Sequence, residues 1–250
     1  MGKIAIFDSG LGSLSIIRPI QKKVRPEIVY FADQESYPYG TKSPARLKKI
    51  TDLTIQKLES KFKPDLIVVA SNTPSLLLDP EKKSKIIGVY PPLEEAARKS
   101  KAKKIAVLAT RSVVRSRKLQ NYIKGHAPPS VKVVKIDASP LVDLVESGRF
   151  ITEKKSSKQT IRKVLEPIRK HGVDVATLSS THLPFLLPML KEVFPQVKFL
   201  DPADSVADRV SRVLKKSRGK STIEIYASGD TGAFQKKLQK IGIRRRVRSL

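Results

Sequence analysis

The sequence predicts an α/β protein built as two α/β domains with mainly parallel sheets. Three observations carry this. Short β-rich runs alternate with helix-length amphipathic segments along all 250 residues, the order that parallel sheets covered by helices require. Several of those runs end in clusters of small polar residues, where open α/β sheets bind ligands. Two of the ends nearly copy one another. Ile67 to Ser75 reads IVVASNTPS and Ala176 to Pro184 reads ATLSSTHLP, presenting Ser71 and Ser180 in the same way.

In chain order, the predicted strands are Lys3–Phe7, Ile28–Phe31, Leu66–Ala70, Ile86–Val89, Lys104–Leu108, Val131–Ile136, Val175–Leu178, Val197–Leu200 and Thr222–Tyr226. Each is short and rich in branched or aromatic residues, and turn-forming residues bound them. Amphipathic stretches over Pro44–Phe62, Pro92–Ser100 and Glu153–His171 read as helices. Thr41 or Ser43 is placed to cap the first of these. Nine strands with a site motif in each half favour two domains over one sheet. The polar strand ends are Asp8-Ser9-Gly10, Ser71-Asn72-Thr73, Ala109-Thr110 and Ser179-Ser180-Thr181-His182. Taken singly, each such cluster fits a helix cap. Two matching clusters in separate halves point to a site, and backbone N–H groups ringed by short hydroxyl and amide side chains suit a carboxylate.

Composition narrows the chemistry. The chain has no cysteine, so disulfides, thiolate metal sites and a cysteine nucleophile are excluded. The three histidines, His126, His171 and His182, show no metal-ligand spacing. No apolar run approaches the roughly 18 residues of a membrane helix, and the N-terminus lacks a secretory h-region, so a cytoplasmic location is expected. Lys and Arg number 50 against 23 Asp and Glu, a formal charge of +27 that should attract polyanions. The cations fall in short clusters: Lys48-Lys49, Lys82-Lys83, Lys103-Lys104, Lys154-Lys155, Lys215-Lys216 and the tail Arg244-Arg245-Arg246-Val247-Arg248. No nucleic-acid-binding motif accompanies them, so a solvated surface with at most non-specific nucleic-acid binding is the expectation. Pro38-Tyr39-Gly40-Thr41-Lys42 is no P-loop, Gly10-Leu11-Gly12 lacks the third glycine of a dinucleotide fingerprint, and neither Ser71 nor Ser180 lies in G-x-S-x-G.

Taken together, these motifs resemble the glutamate racemase family within the aspartate/glutamate racemases. The family's FDSGxGG is matched by Phe7 to Ser13, and its PYGxK by Pro38 to Lys42. ACNTAS is matched by Ala70 to Ser75, and LATxxTVRS by Leu108 to Ser116. ACPLxxxLVExG is matched by Ala138 to Gly148, and GCTHYPLL by Ser179 to Leu186. A late SGD is matched by Ser228 to Asp230. The resemblance implies two similar α/β domains with an active-site cleft between them, a first domain of residues 1–92 plus 205–250 and a second of residues 93–204. It implies cofactor-independent interconversion of L- and D-glutamate by two-base proton transfer at Cα, and through D-glutamate a role in cell-wall biogenesis. An acidic amino acid, glutamate or aspartate, is the implied ligand, no membrane is involved, and a homodimer is left open. By the same resemblance Ser71 and Ser180 stand at the two base positions, assisted by Asp8, Glu146 and His182. Ser9, Tyr39, Gly40, Asn72, Thr73, Thr110 and Thr181 stand at the substrate-binding positions.

Ser71 and Ser180 depart from the family at its two catalytic cysteines. Ser139 replaces a third cysteine, Val113 the second threonine of TxxT, and Leu183 the aromatic after the histidine. A thiol titrates near about 8.5 and an aliphatic hydroxyl several units higher, each unit being worth about 1.36 kcal/mol. Three readings stay open: a racemase using serine, a silent homologue that binds an acidic amino acid, and another reaction or a polyanion role on the same scaffold.

Overall fold

The computed structural model describes residues 2–82, 85–216 and 219–250. Lys83 of the Lys82-Lys83 cluster lies outside the described residues. The chain forms two compact units, one of residues Met1–Val89 and Ala203–Leu250, the other of Tyr90–Pro202. Among the described residues ten strands run in chain order: β1 Lys3–Asp8, β2 Glu27–Ala32, β3 Leu66–Val69, β4 Ile86–Gly88, β5 Lys104–Ala109, β6 Lys132–Asp137, β7 Val175–Leu178, β8 Lys198–Leu200, β9 Thr222–Ala227 and β10 Val247–Ser249.

The first unit holds a six-stranded sheet ordered β10-β9-β2-β1-β3-β4, and every recorded pairing is parallel. Its central strands are continuous apolar runs, as expected where helices cover both faces. Helices Leu14–Val24, Ala203–Val213 and Thr231–Lys240 bury Ile16, Ile20, Val206, Val210, Phe234 and Leu238 with Ile4, Ile6, Tyr30 and Val68 in one core. On the other face, Ile55 and Leu58 of helix Pro44–Phe62 pack with Phe7, Phe31, Ile67 and Val69. Ser43, not Thr41, caps that helix, accepting from the Arg46 N–H at 3.3 Å, and Pro44 occupies the first turn, where its missing N–H costs nothing. Thr41 instead donates to the Pro38 carbonyl at 3.0 Å.

The second unit holds a four-stranded parallel sheet ordered β6-β5-β7-β8. Its core gathers Ala106, Leu108, Leu144, Ile161, Leu178, Leu186 and Phe194. The strand order repeats that of β2-β1-β3-β4 in the first unit, so β1 corresponds to β5, β3 to β7 and each ladder to its counterpart.

Two expectations are corrected. The stretch Glu153–His171 is two helices, Lys154–Val164 and Glu166–His171, parted at Leu165. The cause is Pro167, whose ring would clash with the carbonyl four residues earlier in a continuous helix. The basic tail is also more than a solvated cluster, for Val247–Ser249 forms β10, paired in parallel with β9. No helix among the described residues is long and apolar enough to cross a membrane.

Candidate active site

Parallel pairing sets the site residues at strand ends. In the first unit the β1–β3 register pairs Phe7 with Val69, and the Ala70 N–H donates to the Phe7 carbonyl at 2.9 Å. Asp8 therefore closes β1 beside the chain that leads, two residues beyond β3, to Ser71. In the second unit the β5–β7 register pairs Leu108 with Leu178, and Ser180 again lies two residues beyond its strand. Ser9 and Thr110, each two residues past the paired Phe7 and Leu108, stand at equivalent positions.

Ser71 precedes helix Asn72–Leu78 in extended conformation, φ −144° and ψ 124°, as an N-cap residue does. Its side chain nonetheless makes no capping hydrogen bond, and Ser71 is 7% exposed. The bland explanation for a serine here, a helix cap, is thus unfulfilled. Ser75 holds this turn, with its hydroxyl donating to the Ser71 carbonyl at 2.7 Å and accepting from the Val89 N–H at 2.9 Å. Asn72 donates from Nδ2 to the Val89 carbonyl at 3.2 Å, and its buried Oδ1 has no partner. Thr73 is buried on the same first turn.

Around Asp8 the polar groups are densely bonded. The Ser9 N–H donates to Asp8 Oδ1 at 2.7 Å, and Gln34 Nε2 to the Ser9 carbonyl at 2.6 Å. Tyr39 and Gly40 lie in the turn of 3-10 helix Tyr39–Thr41, against which helix Asn72–Leu78 packs. The Tyr39 hydroxyl donates to Asp33 Oδ2 at 3.0 Å, and Ser228 Oγ donates to Asp33 Oδ1 at 3.0 Å. Burial, with Asp33 and Asp8 beside it, pushes the Tyr39 phenol well above its ordinary value, so it stays a neutral donor.

In the second unit Ser180 and Thr181 follow β7 within a tight turn, where the Leu183 N–H donates to the Ser180 carbonyl at 3.0 Å. Thr177 and Ser179 share a hydrogen bond of 2.8 Å behind it. His182 Nε2 lies 3.1 Å from Glu146 Oε2, both side chains about 95% buried, so helix Ser139–Ser147 fixes the imidazole. Thr110 contacts Ser112 Oγ at 3.3 Å and forms no helix-cap bond. Behind it Arg111 Nε donates to Asp137 Oδ2 at 2.8 Å, and Ser139 Oγ lies 3.0 Å from the Arg111 N–H. Burial works to raise the Asp137 carboxyl, but the bonds from Arg111 and Ser139 prevail and hold it below the usual range.

The structure thus gathers Asp8, Ser9, Tyr39, Gly40, Ser71, Asn72 and Thr73 in the first unit, and Thr110, Glu146, Ser180, Thr181 and His182 in the second. Sequence reasoning missed Asp33 and Ser75. Ser75 lay within the repeated motif and was readable as a turn lock. Asp33 follows β2 directly, the same strand-end signal that singled out Asp8.

Residues 5–210 match the family model described as Asp/Glu/Hydantoin racemase. A glutamate racemase of Herpetosiphon aurantiacus is 31% identical over 246 residues, covering 93% of this chain and 95% of the relative. Among solved structures, glutamate racemase from Thermus thermophilus, in complex with β-chloro-D-alanine, superimposes with a TM-score of 0.84 at 27% identity. The match covers 100% of this chain and 96% of that one. A glutamate racemase from Bacillus anthracis gives 0.85 at 21% identity over 100% and 97%.

Proposed function

The chain belongs to the Asp/Glu/Hydantoin racemase family, and on that premise we propose a glutamate racemase-type protein. It binds an acidic amino acid and interconverts L- and D-glutamate by cofactor-independent, two-base proton transfer at Cα. The carrying observation is that Ser71 and Ser180 stand two residues beyond corresponding strands in two sheets of the same order. Inversion at Cα requires an acid and a base acting on the two faces of a planar carbanion, each within hydrogen-bond reach, and a duplicated strand end is the economical source of two such groups.

The other groups fit this chemistry. Asn72 Oδ1 is a buried acceptor lacking a donor, which the α-ammonium of an amino acid would supply. The hydroxyls of Ser9, Thr73, Thr110 and Thr181 offer donors to carboxylates, and Tyr39, at a substrate-binding position of the family, is held neutral with its own O–H given to Asp33. Asp8 and the His182–Glu146 pair are the groups able to take a proton from a neighbouring serine.

A second reading has its own observation. With no cysteine in the chain, both base positions carry hydroxyls that scarcely ionise at neutral pH, so the same site can bind without turning over. Incubating the protein with L- or D-glutamate in D2O decides between the two. Deuterium entering Cα, and its loss in Ser71→Ala, supports the racemase. Saturable glutamate binding with no exchange supports the silent homologue. Neither binding nor exchange overturns both. The +27 charge favours non-specific polyanion binding beside either reading.

A further inference from the structure

A cavity of about 590 Å³ lies within the first unit, apart from the strand-end serine. Phe31, Ile50 and Leu53 supply its apolar wall, while Asp33, Glu35, Thr54, Lys57 and Ser228 supply polar groups. Its size suits a small organic ligand. Its charge runs against the rest of the protein. Among the described residues Lys57 is the one cation in the lining, and its ammonium hydrogen-bonds the Leu250 main-chain oxygen at 3.2 Å and lies 5.9 Å from the centre of the Phe31 ring. Asp33 and Glu35 outnumber it, so the lining carries a net negative charge on a chain of net charge +27.

The wall is shared with Tyr39. Asp33 accepts from the Tyr39 hydroxyl at 3.0 Å, and Thr54 also hydrogen-bonds that phenol. Leu53, 54% exposed, is one of the few large apolar side chains left in solvent among the described residues. It sits at this cavity, where an apolar ligand body would cover it.

We propose that this cavity binds a small primary amine carried on an apolar body, and that occupancy is passed through Asp33 and Thr54 to Tyr39. The ammonium would meet Asp33 and Glu35, and the apolar body would lie on Ile50, Leu53 and Phe31. The consequence for turnover rests on the substrate-binding role proposed for Tyr39; the amine site does not.

The test uses the full chain without glutamate at pH 7, titrated with n-hexylammonium and, as the charge-reversed isostere, hexanoate. Proton–nitrogen NMR should show saturable shifts at residues 33–36, 50–60 and 228, with hexanoate at least about tenfold weaker. Leu53→Lys should weaken the amine at least about tenfold and Glu35→Gln about threefold, with Leu53→Met within about twofold as the folding control. Equal binding of hexanoate, absence of saturation, or indifference to Leu53→Lys overturns the site. Signals of the Tyr39 ring should move with the same saturation curve; if they stay put while the amine binds, the coupling is overturned. Glutamate takes no part, so failure here is separable from failure of the proposed function.

Discussion

On the function proposed above, Ser71 and Ser180 stand at the two base positions, yet each carries a hydroxyl. Restoring the thiol tests how much of the machinery around them is intact. If Asp8, Asn72 and the His182–Glu146 pair hold the amino acid in a reactive pose, the double variant Ser71→Cys/Ser180→Cys should raise Cα deuterium exchange by about 10²-fold or more, the scale of a general acid–base contribution. Ser71→Ala should abolish exchange while leaving glutamate affinity within about threefold, read by calorimetry. The buried His182–Glu146 contact makes a separate prediction. Glu146→Ala removes the 3.1 Å partner of His182 Nε2, and urea unfolding should report a loss of about 1–3 kcal/mol. Asp33 shows why residue-level reading stops short. Its importance comes from Tyr39 and Ser228, and Ser228 lies on the far stretch of the chain that returns to this unit.

At the scale of elements, Asp174 is a clamp. Just before β7, it accepts from Ser100 Oγ at 2.5 Å and from the Lys101 and Ala102 N–H groups at 2.7 and 2.9 Å, pinning the turn into β5. Burial acts to raise its carboxyl, but these bonds outweigh burial and lower it. Asp137 is lowered likewise. A depressed carboxylate contributes stability above its unfolded value, near 3.9, and loses it as pH falls through the lower folded value. The midpoint of thermal unfolding should thus fall below about pH 4, and Asp174→Asn should flatten that fall while costing ~1 kcal/mol at pH 7. Nine strands were legible because each is a compact apolar or branched run. β10 was not, since Val247 is its single apolar residue among arginines and only pairing with β9 orders it. The broken helix is the reverse case: Pro167 was visible, but amphipathic periodicity on both sides of it read as one element.

Across the whole molecule, charge and topology make different demands. A net +27 is a property of the entire surface, so RNA retention should fall with salt with a slope of several units and be unmoved by Ser71→Ala or Ser180→Ala. A change of slope in those variants would place the polyanion at the serines instead. Topology is what gives the serines their equivalence, because β2-β1-β3-β4 and β6-β5-β7-β8 repeat one order.

The sequence by itself determined the α/β class, nearly all the strands, the absence of thiol chemistry and the motifs that place the chain in its family. These are local facts, written in hydrophobic runs, turn residues and side-chain identity. Only the tertiary structure decided the strand order, the tenth strand, the Asp33–Tyr39–Ser228 network and the unfulfilled cap at Ser71. Each of these depends on hydrogen bonds or packing between residues distant along the chain or on the pose of a single side chain, and neither leaves a periodic trace in the sequence.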